Sequence, residues 1–234
     1  MARREVPRAG TRALALEALA AVALTSMASM TQKSSALTTL WHGLQGTWQL
    51  KRRLHNIDEA GGPSGNCTGT ASFTSRQPSI FVDGEGKLQN ASREMLYSEQ
   101  GDFEITSLNG ATNLPRFSFS RKYVWRLQDE KTGSPEISVW FVKPSTEQID
   151  YLFHKFVVQD LTEDAKSGKP NVAVECSGGH LCVEDYYSST YTFRLGQRSI
   201  DDLADFVLAR WALVHEVRGP KKDQIIETEF TSKS

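Results

Sequence analysis

From Gly46 to Phe230 the chain places apolar residues at alternate positions in short runs, with glycine, proline, asparagine and aspartate between the runs. A two-residue period puts successive side chains on opposite faces of a strand, so each run reads as a half-buried strand. In Gly46 to His55 one face carries Gly46, Trp48, Leu50, Arg52 and Leu54, and the other carries Thr47, Gln49, Lys51, Arg53 and His55. The same alternation marks Gly69–Phe73 and Leu96–Gln100, where Gly101 reads as a turn or bulge before Phe103 and Ile105. Further strands are expected at Phe117–Leu127, Ile137–Val142, Ile149–Val158, Val172–Glu175, Ser189–Leu195, Trp211–Val217 and Gln224–Phe230. Turn signals lie at Gly61-Gly62-Pro63, Thr132-Gly133-Ser134-Pro135 and Ser167-Gly168-Lys169-Pro170. Nine or ten short strands without a strand–helix–strand rhythm predict a mostly β domain, an antiparallel meander closed into a single barrel. Short helices are expected only at Ala36–Gly43 and at Ile200–Ala209, the latter with Ser199 as N-cap. Arg76–Asn90 and Gln159–Asn171 read as loop insertions, and the domain is expected to run from 36 to 234.

Residues 1–35 are of another kind. Arg3, Arg4, Arg8 and Arg12 precede an Ala/Leu-rich stretch from Ala13 to Leu24, with Glu5 and Glu17 as the acidic residues. A basic, amphipathic, acid-poor leader suits mitochondrial import. A secretory signal with Ala18–Leu24 as its apolar part, and a plain tail on a cytoplasmic protein, are the rival readings. The three cysteines, Cys67, Cys176 and Cys182, are an odd number without zinc-finger spacing, which favours a reducing compartment over a disulfide framework. A net charge of −1 leaves no basic footprint for nucleic acid. No uncharged apolar run is long enough to span a bilayer as a helix.

Gly46-x-Trp48 on the first strand, with Arg218 late in the chain, resembles the calycin pattern of lipocalins and fatty-acid-binding proteins. That resemblance implies a tryptophan closing one end of the barrel and an arginine packed across it. A second resemblance covers most of the domain. Leu44-x-Gly46-x-Trp48-x-Leu50-x-Arg52, Gly69-x-Ala71-x-Phe73 and Leu96-Tyr97-x-Glu99-x-Gly101 are similar to family 6314 of the domains of unknown function. So are Arg121-x-Tyr123-Val124-Trp125-Arg126, Phe153-His154, His180-x-Cys182-x-x-Asp185-x-Tyr187 and the stretch from Trp211 to Asp223. The leader and both insertions lie outside the resemblance, which implies relatives and a fold but assigns no activity or cofactor.

Three charged residues fall on apolar faces: Arg52 beside Trp48 and Leu50, Glu99 beside Tyr97, and Arg121 beside Tyr123 and Trp125. A buried charge is costly unless paired, so Glu99 is expected to pair with one of the arginines. Either the guanidinium grips an anionic, partly apolar small molecule inside the barrel, or the charges form a closed internal network. His154, His180, Cys182 and Asp185 form a second candidate cluster, with Tyr187 beside it. Their ligand types suit a metal, and the histidines could ligate haem. Alternatively Cys182 could act as a nucleophile activated by histidine, or the cluster could be a polar loop. Arg218-Gly219-Pro220-Lys221-Lys222-Asp223 reads as a tight turn. Its cations either draw an anion to the barrel rim or pair locally, with Asp223 taking Lys221 or Lys222. The expected function is small-molecule binding, with an enzyme or a metal- or haem-binding protein using the second cluster as the alternative.

Overall fold

In the computed structural model, residues 36–57, 62–106, 115–128, 136–163, 171–197 and 206–233 are described. The leader, Gly61 and the turns at 132–135 and 167–170 lie outside them. The alternation of the first run becomes β1 (Gly46–Asn56), and a helix, α1 (residues 36–44), precedes it. Leu37, Leu40, Trp41 and Leu44 recur at helical spacing and are all buried. Their stripe closes one end of a barrel. Gly46 turns the chain from helix to strand at φ 119°, a conformation that only glycine adopts freely. Trp48 then plugs the same end, donating its indole N–H to the Leu44 carbonyl over 2.9 Å.

Eleven more strands follow. They are β2 (Gly65–Arg76), β3 (Phe81–Val82), β4 (Leu88–Gln89), β5 (Arg93–Ile105), β6 (Arg116–Gln128) and β7 (Glu136–Val142), then β8 (Ile149–Glu163), β9 (Asn171–Cys182), β10 (Asp185–Gln197), β11 (Phe206–Arg218) and β12 (Asp223–Ser232). All but β3 and β4 close an antiparallel barrel in the order β1-β12-β11-β10-β9-β8-β7-β6-β5-β2. Closure comes from β1, which pairs with β2 on one side and β12 on the other. The fold is therefore the mostly β, closed antiparallel barrel that the alternation predicts, and it matches the calycin-like barrel that the Gly46-x-Trp48 resemblance implies. Its closed half is packed with aromatic rings, among them Trp48, Phe73, Trp125, Phe193, Trp211 and Phe230.

Several local expectations are corrected. Gly101 is neither turn nor bulge. It lies opposite Gly69 in unbroken β2–β5 register, and a Cβ on it would fall 2.7 Å from the Gly69 Cα. The two strands approach too closely there for side chains. Phe206–Ala209 are strand and not helix, because β11 pairs with β10 beyond a register shift at Arg194/Leu195; residues 200–205 of that expected helix lie outside the described residues. Gln159–Glu163 extend β8 and are not an insertion.

Arg76–Asn90 ends β2 and then forms the β3–β4 hairpin. The segment that leads into this hairpin is tied to the barrel by an unforeseen ion network. Glu94 takes Arg76 at 2.6 Å and Arg126 at 3.0 Å, and both Glu94 and Arg126 are 2% exposed. Glu94 also accepts from Ser79, while Arg126 donates to the Ser79 carbonyl and lies under the Phe81 ring.

Arg218 does not cross Trp48. Trp48 packs edge-on against Trp211, and Arg218 stands seven residues farther along β11, about 23 Å away at strand rise. It pairs there with Asp223, which therefore takes Arg218 and not Lys221 or Lys222. No helix among the described residues is long and apolar enough to cross a membrane.

Candidate functional site

Inward positions of β1 and β5 hold the ion pair that the alternation pointed to. Arg52 donates from both terminal nitrogens to Glu99, at 2.9 and 2.7 Å, and its Nε donates to Thr228 Oγ1 over 2.9 Å. Glu99 also accepts the Tyr97 hydroxyl at 2.5 Å. Glu99 is 4% exposed, so the carboxylate is desolvated but has three donors. Burial alone would lower the Arg52 pKa, and the Glu99 hydrogen bond and charge more than offset this, so it is raised. Burial, together with the Glu99 charge, pushes Tyr123 up to about 12. The Tyr97 hydroxyl is raised further by the same two causes. Both tyrosines are neutral hydrogen-bonding groups at any physiological pH.

Beyond Arg52 the barrel is hollow. A cavity of about 490 Å³ is lined by Arg52, Glu99, Arg121, Tyr123, Tyr187 and Lys222 among its polar residues. Rings from Phe103, Phe119, Trp125, Phe153, Tyr191 and Trp211 make up much of its wall. The volume lies within the range of small-molecule sites, and so does this mixture of apolar wall and few polar groups.

Arg121 faces Glu99 directly across the β5–β6 ladder yet does not take it. Arg121 is exposed and donates to the Ser120 carbonyl. At the other side of the lining, Lys222 donates to the Tyr187 hydroxyl over 3.1 Å and stands above the Tyr187 ring. Among the described residues the lining thus sets three cations against one carboxylate, and that carboxylate is committed to Arg52.

His215 was not anticipated, although it shares the inward face of β11 with Trp211 and Leu213. It lines the cavity, and its Nδ1 shares a 2.8 Å hydrogen bond with Ser189. Burial, reinforced by the Arg52 charge, lowers its pKa to about 4. His154 is 2% exposed. Its Nε2 meets the Tyr191 hydroxyl at 2.7 Å, and its Nδ1 has no hydrogen-bond partner among the described residues. Burial, with smaller contributions from His215 and His180, lowers its pKa to about 3. Both rings are neutral near pH 7.

The second candidate cluster does not assemble as a set. His180 packs edge-on against Phe153 near Tyr187. Cys182 is exposed where β9 ends. Asp185 is buried and accepts the Lys221 backbone N–H at 3.1 Å, which ties the β9–β10 hairpin to the β11–β12 turn. Among the described residues no three His, Cys, Asp or Glu side chains stand together as metal ligands would. Strand parity puts His180, Cys182 and Asp185 on one face of the β9–β10 hairpin, with Cys182 directly opposite Asp185, but Cys182 is exposed at the hairpin end while His154 is buried on β8 against Tyr191.

The family model described as "Family of unknown function (DUF6314)" matches residues 44–232, and the chain belongs to that family. The match runs from the end of α1 to the end of β12, through both segments expected to lie outside it. No curated protein and no solved structure matches the chain.

Proposed function

We propose that this member of the DUF6314 family is a binding protein whose barrel holds a small, partly apolar, anionic molecule. The observation that carries the reading is the charge imbalance of an aromatic-walled cavity. Arg52 is neutralised by Glu99, whereas Arg121 and Lys222 line the same space with no carboxylate of their own there among the described residues. A ligand with an acidic head would meet these two cations and lay its apolar part against Trp125, Trp211 and Phe153. Guanidinium and ammonium groups beside an apolar wall reward that combination more than either part alone. The neutral His215 and the hydroxyls of Tyr123 and Tyr187 add hydrogen-bonding groups that need no charge.

Titration with 8-anilinonaphthalene-1-sulfonate, a planar aromatic anion of suitable size, tests the reading. Saturable enhancement of dye fluorescence is expected, with displacement by decanoate. Leu213→Trp, which fills the cavity, is expected to abolish uptake, and Arg121→Ala with Lys222→Ala to weaken it about tenfold, or about 1.4 kcal/mol. Dye binding that ignores Leu213→Trp, or no binding at all, would overturn it. Native mass spectrometry of protein purified without added ligand gives an independent readout, since a reproducible extra mass identifies a retained molecule.

A further inference from the structure

The barrel wall is incomplete along one strand. β6 pairs with β5 from Arg116 to Leu127, but with β7 only from Tyr123 to Gln128. β7 is seven residues long, and its register with β8 breaks on either side of Trp140. The β7–β8 turn reaches this edge only at its Lys122 end. Glu147 takes the Lys122 ammonium at 2.8 Å, and its carbonyl accepts from Arg76. Among the described residues, nothing pairs with the second edge of β6 from Arg116 to Lys122, and all of these residues except Phe119 are exposed. That leaves about 20 Å of strand whose alternate N–H and C=O groups point to solvent.

A free strand edge is a template for another strand, and the side chains of this one decide what it accepts. Phe117, Phe119 and Arg121 point toward the cavity that they line, while Arg116 and Lys122 stand on the outer face. A second copy adding antiparallel about Phe119 would set Arg116 against Lys122 and Arg121 against Phe117. Cationic edges of this kind repel one another. Arg116 and Lys122 have acidic partners within the chain, but among the described residues Arg121 has only the Ser120 carbonyl. An incoming strand with acidic residues on its cavity-side face would satisfy both the backbone groups and this guanidinium.

We infer that the Arg116–Lys122 edge of β6 binds an extended acidic peptide segment of another protein by strand addition, with acidic side chains on the cavity side against Arg121 and the alternate, apolar side chains on the outer face. The inference stands on backbone pairing and not on the cavity's small-molecule occupant, so dye uptake and strand addition can fail separately.

The probe is a fluorescein-labelled nonapeptide, Glu-Val-Glu-Val-Thr-Val-Glu-Val-Glu, offered to the whole chain and followed by anisotropy. Two further versions carry N-methyl groups on alternate amides, one in each register, and another carries lysine for every glutamate. Saturable binding of the parent is expected. One N-methylated register should bind at least tenfold more weakly and the other within twofold, because only alternate amides of an added strand face β6. The lysine peptide and the Arg121→Glu variant should each weaken binding about tenfold. Hydrogen exchange should slow at alternating amides between Arg116 and Lys122. Equal binding by both N-methylated peptides, protection elsewhere, or no binding up to millimolar peptide would overturn the inference.

Discussion

Arg52 and Glu99 meet through two parallel hydrogen bonds although 47 positions separate them in the chain. The pair joins β1 to β5 across the intervening β2, with Thr228 on β12 holding the guanidinium from the other side. Removing one partner leaves the other desolvated, which typically costs about 3–5 kcal/mol. Glu99→Ala should therefore lower stability by about 3 kcal/mol, the lower end because the Arg52 side chain is 18% exposed. The double change Arg52→Met with Glu99→Leu should recover most of this loss. Urea unfolding of the three proteins measures it, and a double variant no better than the single one would show that the cost lies elsewhere.

The buried histidines make the fold acid-sensitive above the range where carboxylates titrate. The folded-state pKa of His154 is depressed to about 3 and that of His215 to about 4. The unfolded chain binds protons at both sites near pH 6.5, while the folded chain does not. Stability is thus fully present above that pH and falls as the pH drops toward the folded values, by about 1.4 kcal/mol per unit for each histidine. Chemical denaturation from pH 7 to 4.5 should show this slope, and His215→Gln should remove about half of it. An unchanged slope in His215→Gln would locate the sensitivity in other groups.

Glu94 holds the outer cover as Glu99 holds the interior. Glu94→Ala orphans Arg126, which is 2% exposed, and should destabilise the protein by about 3–5 kcal/mol. It should also release the β3–β4 hairpin, because Arg76 and Ser79 lose the same carboxylate. Limited proteolysis then cuts between 83 and 88 sooner than in the parent chain; a cutting rate equal to the parent's would show that the Phe81–Trp140 contact alone anchors the hairpin.

At Gly101, a Cβ would lie 2.2 Å from the Thr68 carbonyl oxygen. Gly101→Ala should cost about 2 kcal/mol by forcing β2 and β5 apart. Gly84→Ala, where nothing lies within 4 Å of the added carbon, should stay within about 0.5 kcal/mol. Thermal melts of the two variants compare them directly, and equal effects would mean that the strands can separate without penalty.

Much of the barrel was legible because a half-buried strand must alternate. Gly46 to His55 shows this most clearly, and the same parity placed Arg52, Glu99 and Arg121 on inward faces. Parity could not decide which arginine takes Glu99. Arg121 is its direct cross-strand neighbour, yet Arg52 reaches it from β1 and is held by Thr228. His215 was equally readable from the face shared by Trp211 and Leu213, whereas the set of His154, His180, Cys182 and Asp185 was built on ligand type; the β9–β10 hairpin does set Cys182 opposite Asp185, but at an exposed end, while His154 is buried on β8 against Tyr191. Phe206–Ala209 reads as helix in isolation, and pairing with β10 overrides that preference.

By itself the sequence determined that the domain is an antiparallel barrel, because alternation without crossover helices leaves few other ways to bury one face of every strand. It also determined which family the chain belongs to and which charges face inward. Only the tertiary structure decided that the barrel is packed at the α1 end and hollow beyond Arg52, that Glu94 fastens a cover outside it, and that β6 keeps one edge unpaired. Those outcomes depend on closure, stagger and the close approach of distant strands, and a local pattern carries no information about which strands become neighbours.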